Sequence, residues 1–359
     1  MNRTTLGDHL TRIGARPGEY CGAETALCFT DSRREFLALR DACGVYDLDW
    51  HAPFVIGGRD RVRWLNGMVS NNIRDLALGQ GNYNFLLSAQ GHILGDLYIY
   101  NRGEDFLAVT EQSQLQSILA TFRKYIIMDQ VEVVELGGQL TGIGVQGPRA
   151  AEWLRRAGLP GTLTASPSWT ETAWQGQRIS LASRGGGPFQ ICEFWTPPAE
   201  APGIWDALTA AGAVPTGAEA LEMFRVAAGI PRVGVDIRDR ELPQETAQMQ
   251  ALHFGKGCYI GQEIVERVRA RGNVHRTFTG FVIDGALPAP GAKLLVESEG
   301  QSKEAGEITS ALRVPQREDD HWATLALGYV RREHAAPGAI LHAGGALAKV
   351  SPLPFSDIL

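Results

Sequence analysis

Hydrophobic and polar positions along the chain alternate between the spacing of helices and the spacing of strands. Apolar residues recur at i, i+3, i+4 and i+7 after Thr110, which predicts an amphipathic helix. They are Leu115, Ile118, Leu119 and Phe122. Caps, breakers and apolar spacing predict three more helices, at 31–42, 201–211 and 216–229.

Strand-like segments lie between these helices. Residues 82–100 predict a β-hairpin whose turn is Ala89-Gln90-Gly91. Short strands are predicted at 54–56, 131–136 and 143–145. After residue 274 the chain is rich in Gly, Pro and short β-prone runs, at 278–283, 293–297, 325–330 and 340–342. This spacing predicts a small closed β-domain that begins near residue 275.

Size and charge restrict the class of protein. With 359 residues the chain is too long for one ordinary core, so two or three domains are expected. A formal net charge of −6 argues against a broad nucleic-acid-binding surface. The arginines between 267 and 276 are interpreted as a solvated face, with a local basic patch as the alternative. No run of roughly 18 apolar residues predicts a membrane span, and residues 1–16 lack the apolar core of a signal peptide. A cytoplasmic protein is therefore expected.

The cysteines argue against a disulfide framework. There are five, Cys21, Cys28, Cys43, Cys192 and Cys258, and no pair has C-x-x-C spacing. An odd number without paired spacing favours reduced thiols, most of them buried as small apolar side chains. The histidines are scattered, so no metal site is predicted.

The most specific segment is Lys256-Gly257-Cys258-Tyr259-Ile260-Gly261-Gln262-Glu263. It predicts a glycine-punctuated turn that leads into a helix near Gly261. A lysine two residues before Cys258 and a helix N-terminus just after it would both favour the thiolate. On chemistry alone, a tight turn with a buried cysteine and a structural lysine is the favoured interpretation.

This segment resembles the K-G-C-Y-x-G-Q-E signature of the YgfZ family of folate-binding proteins at all seven specified positions. That family is related in fold to the T-protein of the glycine cleavage system, an aminomethyltransferase. Shorter segments resemble the wider superfamily, at 44–48, 144–148, 221–234 and 351–355. The resemblance implies a tetrahydrofolate-dependent role in iron–sulfur cluster assembly or repair, in which Cys258 is important.

The resemblance also implies an α+β, three-domain GcvT-like fold. Two mixed α/β domains and a C-terminal β-barrel domain would surround a central folate cavity. The expected ranges are 1–50 with 140–240 for the first domain, 51–139 with 241–274 for the second, and 275–359 for the barrel.

A pterin ring presents a row of N–H donors that a carboxylate can accept side by side. In the superfamily a Glu after a Gly-rich turn does this, and the matching segment here is 185–194. Strict alignment places Gln190 at that position, while Glu193 is the nearest carboxylate. The two differ by an odd number of positions, so they should point to opposite faces of a strand. Glu193 shares its face with Ile191 and Trp195, and either Glu193 or Gln190 is expected to bind the pterin.

Two further residues correspond to superfamily positions. Arg225 matches an Arg near the folate, and an ion pair with Glu222 is an equally good interpretation. Asp96 stands where aminomethyltransferases carry two adjacent acids, one of them catalytic, but this chain has Gly95 before it. A hydrogen bond to a neighbouring turn is the structural alternative for Asp96. The predicted catalytic residues are thus Cys258 and Asp96, and the predicted cofactor-binding residues are Glu193, Gln190, Arg225, Lys256 and Tyr259.

Three functions remain open. The first is a tetrahydrofolate-binding protein that acts on iron–sulfur client or assembly proteins, which the signature favours. The second is an aminomethyltransferase that acts on an aminomethyl-lipoyl carrier protein; the nearly full-length resemblance and Asp96 favour it, while Gly95, Gln190 and the signature disfavour it. The third is a non-catalytic interaction scaffold that no longer binds folate.

Overall fold

The computed structural model describes residues 2–3, 6–161, 164, 166–184, 191–272, 274–298, 301–317 and 321–359. Within these residues the helices and strands are numbered along the chain. The helices are α1 (Gly7–Arg12), α2 (Ser32–Asp41), α3 (Arg61–Met68), α4 (Gln112–Tyr125), α5 (Ala150–Arg156), α6 (Ala201–Ala211), α7 (Ala218–Ala228) and α8 (Gln262–Arg271). Short 3-10 turns occur at Pro243–Glu245, Met249–Ala251 and Arg332–His334.

The helices predicted from apolar spacing are confirmed. Helix α2 begins after Asp31, whose carboxylate accepts a hydrogen bond from the Arg33 N–H at 3.2 Å. Helix α6 has Pro202 in its first turn, where the missing N–H costs nothing. Helix α7 ends before Gly229, which adopts a φ of 70° that favours glycine.

The chain divides into two compact units, each built from three segments. Unit 1 comprises Met1–Leu86, Leu94–Leu221 and Gly255–Ile260, and unit 2 comprises Leu87–Ile93, Glu222–Phe254 and Gly261–Leu359.

Three sheets form unit 1. The six-stranded sheet has the order β11 (Ser168–Trp174), β12 (Gln177–Ser183), β13 (Ile191–Thr196), β10 (Thr141–Gln146), β4 (Gly44–Asp47) and β14 (Val214–Pro215). The five-stranded sheet has the order β6 (Gly81–Leu87), β7 (Ile93–Asn101), β8 (Phe106–Glu111), β5 (His51–Gly57) and β9 (Glu132–Glu135). The small sheet has the order β1 (Asn2–Arg3), β3 (Ala23–Cys28) and β2 (Arg16–Tyr20).

The two larger sheets of unit 1 pack face to face, and helices cover their outer faces. Apolar residues of α5 and α6 pack on the six-stranded sheet, and those of α3 and α4 pack on the five-stranded sheet. A third cluster joins the inner faces of the sheets and contains Tyr100, Leu107, Val109, Trp169, Ala182 and Trp195. Because side chains alternate along a strand, β7 directs Leu97 and Ile99 to the helices and Tyr100 to the space between the sheets.

Unit 2 contains the tip of the β6–β7 hairpin, helix α8 and a closed six-stranded barrel. The barrel order is β15 (Arg276–Asp284), β18 (Trp322–Arg331), β17 (Gln301–Pro315), β16 (Lys293–Ser298), β19 (Ile340–Ala343) and β20 (Ala346–Ser351). The closed β-domain predicted after residue 274 is therefore confirmed. Strand β17 was not predicted, because its first half is exposed and polar and a bulge between Ile308 and Ser310 interrupts its alternation.

The predicted α+β class is confirmed, with two helix-covered sheets and a C-terminal barrel. The three domain ranges and the central folate cavity stay predictions. Among the described residues, no helix combines the length and the apolar composition needed to cross a bilayer.

Candidate functional site

Asp96 lies on β7 in a network of hydrogen bonds inside unit 1. The Tyr83 hydroxyl donates a hydrogen bond to Asp96 Oδ2 at 2.6 Å, and Gln114 Nε2 donates one to Asp96 Oδ1 at 2.8 Å. Burial raises the pKa of Asp96, although these two hydrogen bonds oppose the rise. The carboxyl group therefore holds a proton more readily than an exposed aspartate does. The two side chains that bind the Asp96 carboxylate lie on strand β6 and helix α4, so the alternative of a hydrogen bond to a neighbouring turn is wrong.

Glu193 on β13 forms a buried ion pair with Arg184, which directly follows β12. The Glu193 side chain is 1% exposed. Its Oε1 accepts from Arg184 Nε, and its Oε2 accepts from Trp195 Nε1 at 3.1 Å. The prediction that Glu193 and Trp195 share a face is confirmed. Both carboxylate oxygens already have a partner, so a pterin would have to use their remaining lone pairs or displace one partner.

The guanidinium of Arg184 also contacts a histidine and an aromatic ring. Its Nη2 lies 2.9 Å from His51 Nε2, and its carbon lies 4.8 Å from the centre of the Tyr98 ring. Burial, and then the Arg184 charge, hold the pKa of His51 well below its ordinary value. Burial alone would lower the pKa of Arg184, but Glu193 and Tyr98 more than offset this. The site therefore pairs a neutral imidazole with a charged guanidinium.

A row of aromatic side chains extends from Tyr83, which binds Asp96, into the space between the two larger sheets. The Tyr83 and Tyr98 ring centres are 5.1 Å apart, and those of Tyr100 and Trp169 are 5.8 Å apart. Tyr100 Oη and Trp169 Nε1 are buried and have no hydrogen-bond partner among the described residues. A buried polar atom without a partner costs about 1–3 kcal/mol, so these groups suit a ligand that offers polar atoms.

The signature segment packs on the end of α3. Lys256 Nζ donates to the carbonyl oxygens of Val69 and Asn71, each at 2.6 Å, and lies 4.9 Å from the Tyr259 ring centre. The Ile260 N–H donates to Gly67 O at 3.1 Å. Burial, and then the charge of Arg74, lower the pKa of Lys256 to about 7. Lys256 thus fixes the segment in place as a structural lysine would.

Cys258 differs from the other cysteines because it is exposed. The interpretation of the segment as a turn with a buried cysteine is therefore wrong. Cys28, Cys43 and Cys192 are buried as expected, and Cys21 is partly exposed. A functional role for Cys258 stays a prediction.

The remaining predicted residues lie elsewhere. Arg225 belongs to unit 2, where its Nη2 lies 2.8 Å from Glu222 Oε1 and its Nη1 lies 2.7 Å from Asp236 Oδ2. The predicted ion pair with Glu222 is confirmed, and a folate contact of Arg225 stays a prediction. Gln190 lies outside the described residues.

Unit 1 thus brings Asp96 and Glu193 into one polar region, which Tyr98 and Arg184 join. Arg184, Tyr83 and Gln114 were not among the residues predicted from the sequence. Gln114 could have been found, because it lies four residues before Ile118 on the apolar face of α4. Among the described residues, no group of three His, Cys, Asp or Glu side chains could hold a metal ion.

Comparisons with known proteins agree with this architecture. The chain is 28% identical to the aminomethyltransferase of Rubrobacter xylanophilus, over 99% of this chain and 94% of that protein. It is 27% identical to an aminomethyltransferase of Thermus thermophilus, over 99% of each chain. The crystal structure of the glycine cleavage system aminomethyltransferase T from Bartonella henselae has the same fold, with a TM-score of 0.86 at 23% identity over 99% of this chain and 98% of that chain. The family model for the GCVT N-terminal domain matches residues 6–256. With about two thirds of its length matched, the chain belongs to the GCVT N-terminal domain family.

Proposed function

We propose that this protein binds a reduced folate and transfers to it the one-carbon unit of an aminomethyl group. Relatives named aminomethyltransferase align with nearly the whole chain. The observation that carries the proposal is the network around Asp96, since a carboxyl group held by two side-chain donors has a fixed orientation.

The side chains of unit 1 have the chemistry that a folate requires. Tetrahydrofolate, when bound, would supply the amine that accepts the one-carbon unit. Tyr100 Oη and Trp169 Nε1 are available as donors, and Glu193 offers carboxylate lone pairs to pterin N–H groups. Asp96 would stabilise positive charge that develops near the reacting nitrogen, or hold a proton there. Gly95 leaves Asp96 as the one acid at this point of the strand, so it would carry this role alone.

The test is the formation of methylenetetrahydrofolate from tetrahydrofolate and an aminomethylated lipoyl carrier protein. Asp96→Asn keeps the shape of the side chain but removes its charge, and should lower kcat by about a hundredfold or more. Asp105→Asn is the matched control. Asp105 Oδ1 lies 2.7 Å from Arg102 Nε, and this pair is not part of the Asp96 network, so the variant should leave kcat unchanged. Undetectable turnover by the wild type would refute the proposal.

A second candidate function rests on Cys258. An exposed thiol within the YgfZ-type signature, on a segment held by Lys256, is suited to contact a partner or a cluster. This supports a role of the folate-binding protein with iron–sulfur client or assembly proteins. Cys258→Ser should then abolish the recovery of a cluster-dependent enzyme in cells that lack the protein, while Cys21→Ser should not. Full recovery with Cys258→Ser would exclude a role of this thiol.

Mass spectrometry of the purified protein separates both candidates from a non-catalytic scaffold. A co-purified reduced folate would support either folate-dependent function. A protein that neither retains nor binds tetrahydrofolate would be a scaffold.

A further inference from the structure

The backbone of Asp96 lies where the β7–β8 ladder stops. The paired residues of β7 run from Tyr98 to Asn101, so the N–H and carbonyl of Asp96 lie beyond the ladder. On the side of β7 that faces β8, side chains take the place of a strand partner. Gln114 Oε1 accepts from the Asp96 N–H at 3.0 Å, and Thr110 Oγ1 donates to the Asp96 carbonyl at 2.7 Å.

Gln114 therefore binds Asp96 twice, once at the backbone and once at the carboxyl group. Its amide oxygen accepts from the N–H, while its amide nitrogen donates to Oδ1 at 2.8 Å. Reversing the amide would place oxygen against carboxylate and nitrogen against N–H, so both contacts fix one orientation. Gln114 is 6% exposed, and its backbone lies in the first turn of α4. A rigid element thus supports both contacts.

Gly95 provides the space for this arrangement. A Cβ atom at position 95 would lie 3.2 Å from Gln114 Oε1 and 3.0 Å from the Ile118 side chain. Contacts of this length are tighter than ordinary van der Waals contacts and would require Gln114 or Ile118 to move. An acid at position 95 would therefore require Gln114 or Ile118 to shift by a few tenths of an ångström.

We infer that Gln114 is a positioning residue, which fixes the carboxyl group of Asp96 for one-carbon transfer and uses the space that Gly95 leaves free. This inference rests on the proposed function, because it assumes that Asp96 acts on the substrate. Gln114 itself acts only through Asp96.

The test compares Gln114→Met with wild type. Methionine has a similar length but no donor or acceptor, so Asp96 loses both contacts while the helix keeps its packing. In the folate-dependent assay kcat should fall about ten- to a hundredfold with little change in the KM for tetrahydrofolate. Gln116→Met is the matched control, since Gln116 is exposed on the same helix and should change neither value.

A second readout requires neither folate nor turnover. Aspartate carboxyl groups labelled with ¹³C report the titration of Asp96, assigned by its absence in Asp96→Asn. Loss of the Gln114 donor should raise the pKa of Asp96, because that bond favours the charged form. The other titratable side chains coupled to Asp96 are Tyr83, Arg184 and Tyr98, and all three are unchanged in the variant. If Gln114→Met does not fold, Gln114→Glu replaces it, since it keeps an acceptor for the N–H and should also raise the midpoint.

The outcomes separate the inference from the proposed function. Normal turnover by Asp96→Asn would refute the role of Asp96 and with it the positioning of Asp96. Loss of turnover in Asp96→Asn, with normal kcat and an unchanged Asp96 titration in Gln114→Met, would refute the inference alone. A lower melting temperature without either change would show that Gln114 is only structural, which also overturns the inference.

Discussion

Replacing Glu193 with glutamine would leave the guanidinium of Arg184 between the sheets of unit 1 without its carboxylate partner. Removing one member of a buried ion pair typically costs about 3–5 kcal/mol, because the remaining charge stays desolvated. The Arg184 side chain is 18% exposed, so we expect the lower end, about 3 kcal/mol. Glutamine also has one oxygen fewer to accept from Arg184 and Trp195, which adds about 1 kcal/mol. The free energy of unfolding should therefore fall by about 3–4 kcal/mol.

The measurement is urea denaturation followed by circular dichroism at pH 7. Glu171→Gln is the matched control, because Glu171 pairs with Arg178 in the same sheet but both side chains are largely exposed. That variant should change the free energy by less than about 1 kcal/mol. In the double variant Arg184→Met/Glu193→Gln the buried charge is gone, so its loss should be smaller than the sum of the single losses by about 1–3 kcal/mol.

A loss in Glu193→Gln no larger than in Glu171→Gln would refute this account of the ion pair. Folate titrations of Glu193→Gln and Arg184→Met distinguish direct ligand contact from a structural role of the ion pair. If Glu193→Gln weakens folate binding and Arg184→Met does not, the carboxylate itself contacts the ligand. If both weaken it equally, the pair acts by holding the sheets and rings in place.

Three further predictions concern titration and reactivity. His51 stays neutral in the folded protein, while a histidine in the unfolded chain gains a proton below about pH 6.5. The free energy of unfolding should therefore decrease as the pH is lowered below that value, by up to about 1.4 kcal/mol per pH unit. His51→Gln should lose this part of the pH dependence. Parallel wild-type and His51→Gln curves between about pH 6.5 and 5 would contradict this. Lys256 should titrate at about pH 7 in ¹³C NMR of the lysine Cε atoms, with the signal absent in Lys256→Arg, and a midpoint near an ordinary lysine value would exclude the burial of its ammonium. Cys258 should react fastest with a thiol reagent because its side chain is exposed, whereas burial raises the pKa of Cys43 and Cys192 to about 12. A fast phase that persists in Cys258→Ser would disprove this.

Much of the fold follows from local patterns in the sequence. Pro202 and the apolar spacing after it define α6, and Gly229 defines the end of α7, because each signal lies within the element it describes. The hairpin of β6 and β7 is likewise local, since its turn glycine Gly91 adopts a φ of 76°. Strand β17 was missed because a bulged, half-exposed strand has no clear alternation.

The site was predicted less completely, since its contacts join distant positions. Asp96 and Glu193 were found as carboxylates in family-like segments. The partner of Glu193 was not, because the pairing of Arg184 depends on the register in which Ala182 faces Glu193. Gln114 lies 18 positions from Asp96 and contacts it only because α4 packs across the end of the β7–β8 ladder. The pairing of Arg184 has no local sequence signal, whereas a glutamine on an apolar helix face indicates that it has a polar partner, without identifying that partner.

The division of unit 1 into three chain segments has a consequence for biosynthesis. Its last segment, Gly255–Ile260, carries the lysine whose ammonium binds the carbonyls of Val69 and Asn71. A ribosome that has just translated Leu221 must add all of Glu222–Phe254 before this segment begins. At translation rates of about 5–20 residues per second, that interval is roughly 2–7 s. During this time the nascent chain holds most of unit 1 without the residues that complete it, so chaperone binding and proteolysis are expected to act on the protein at this stage.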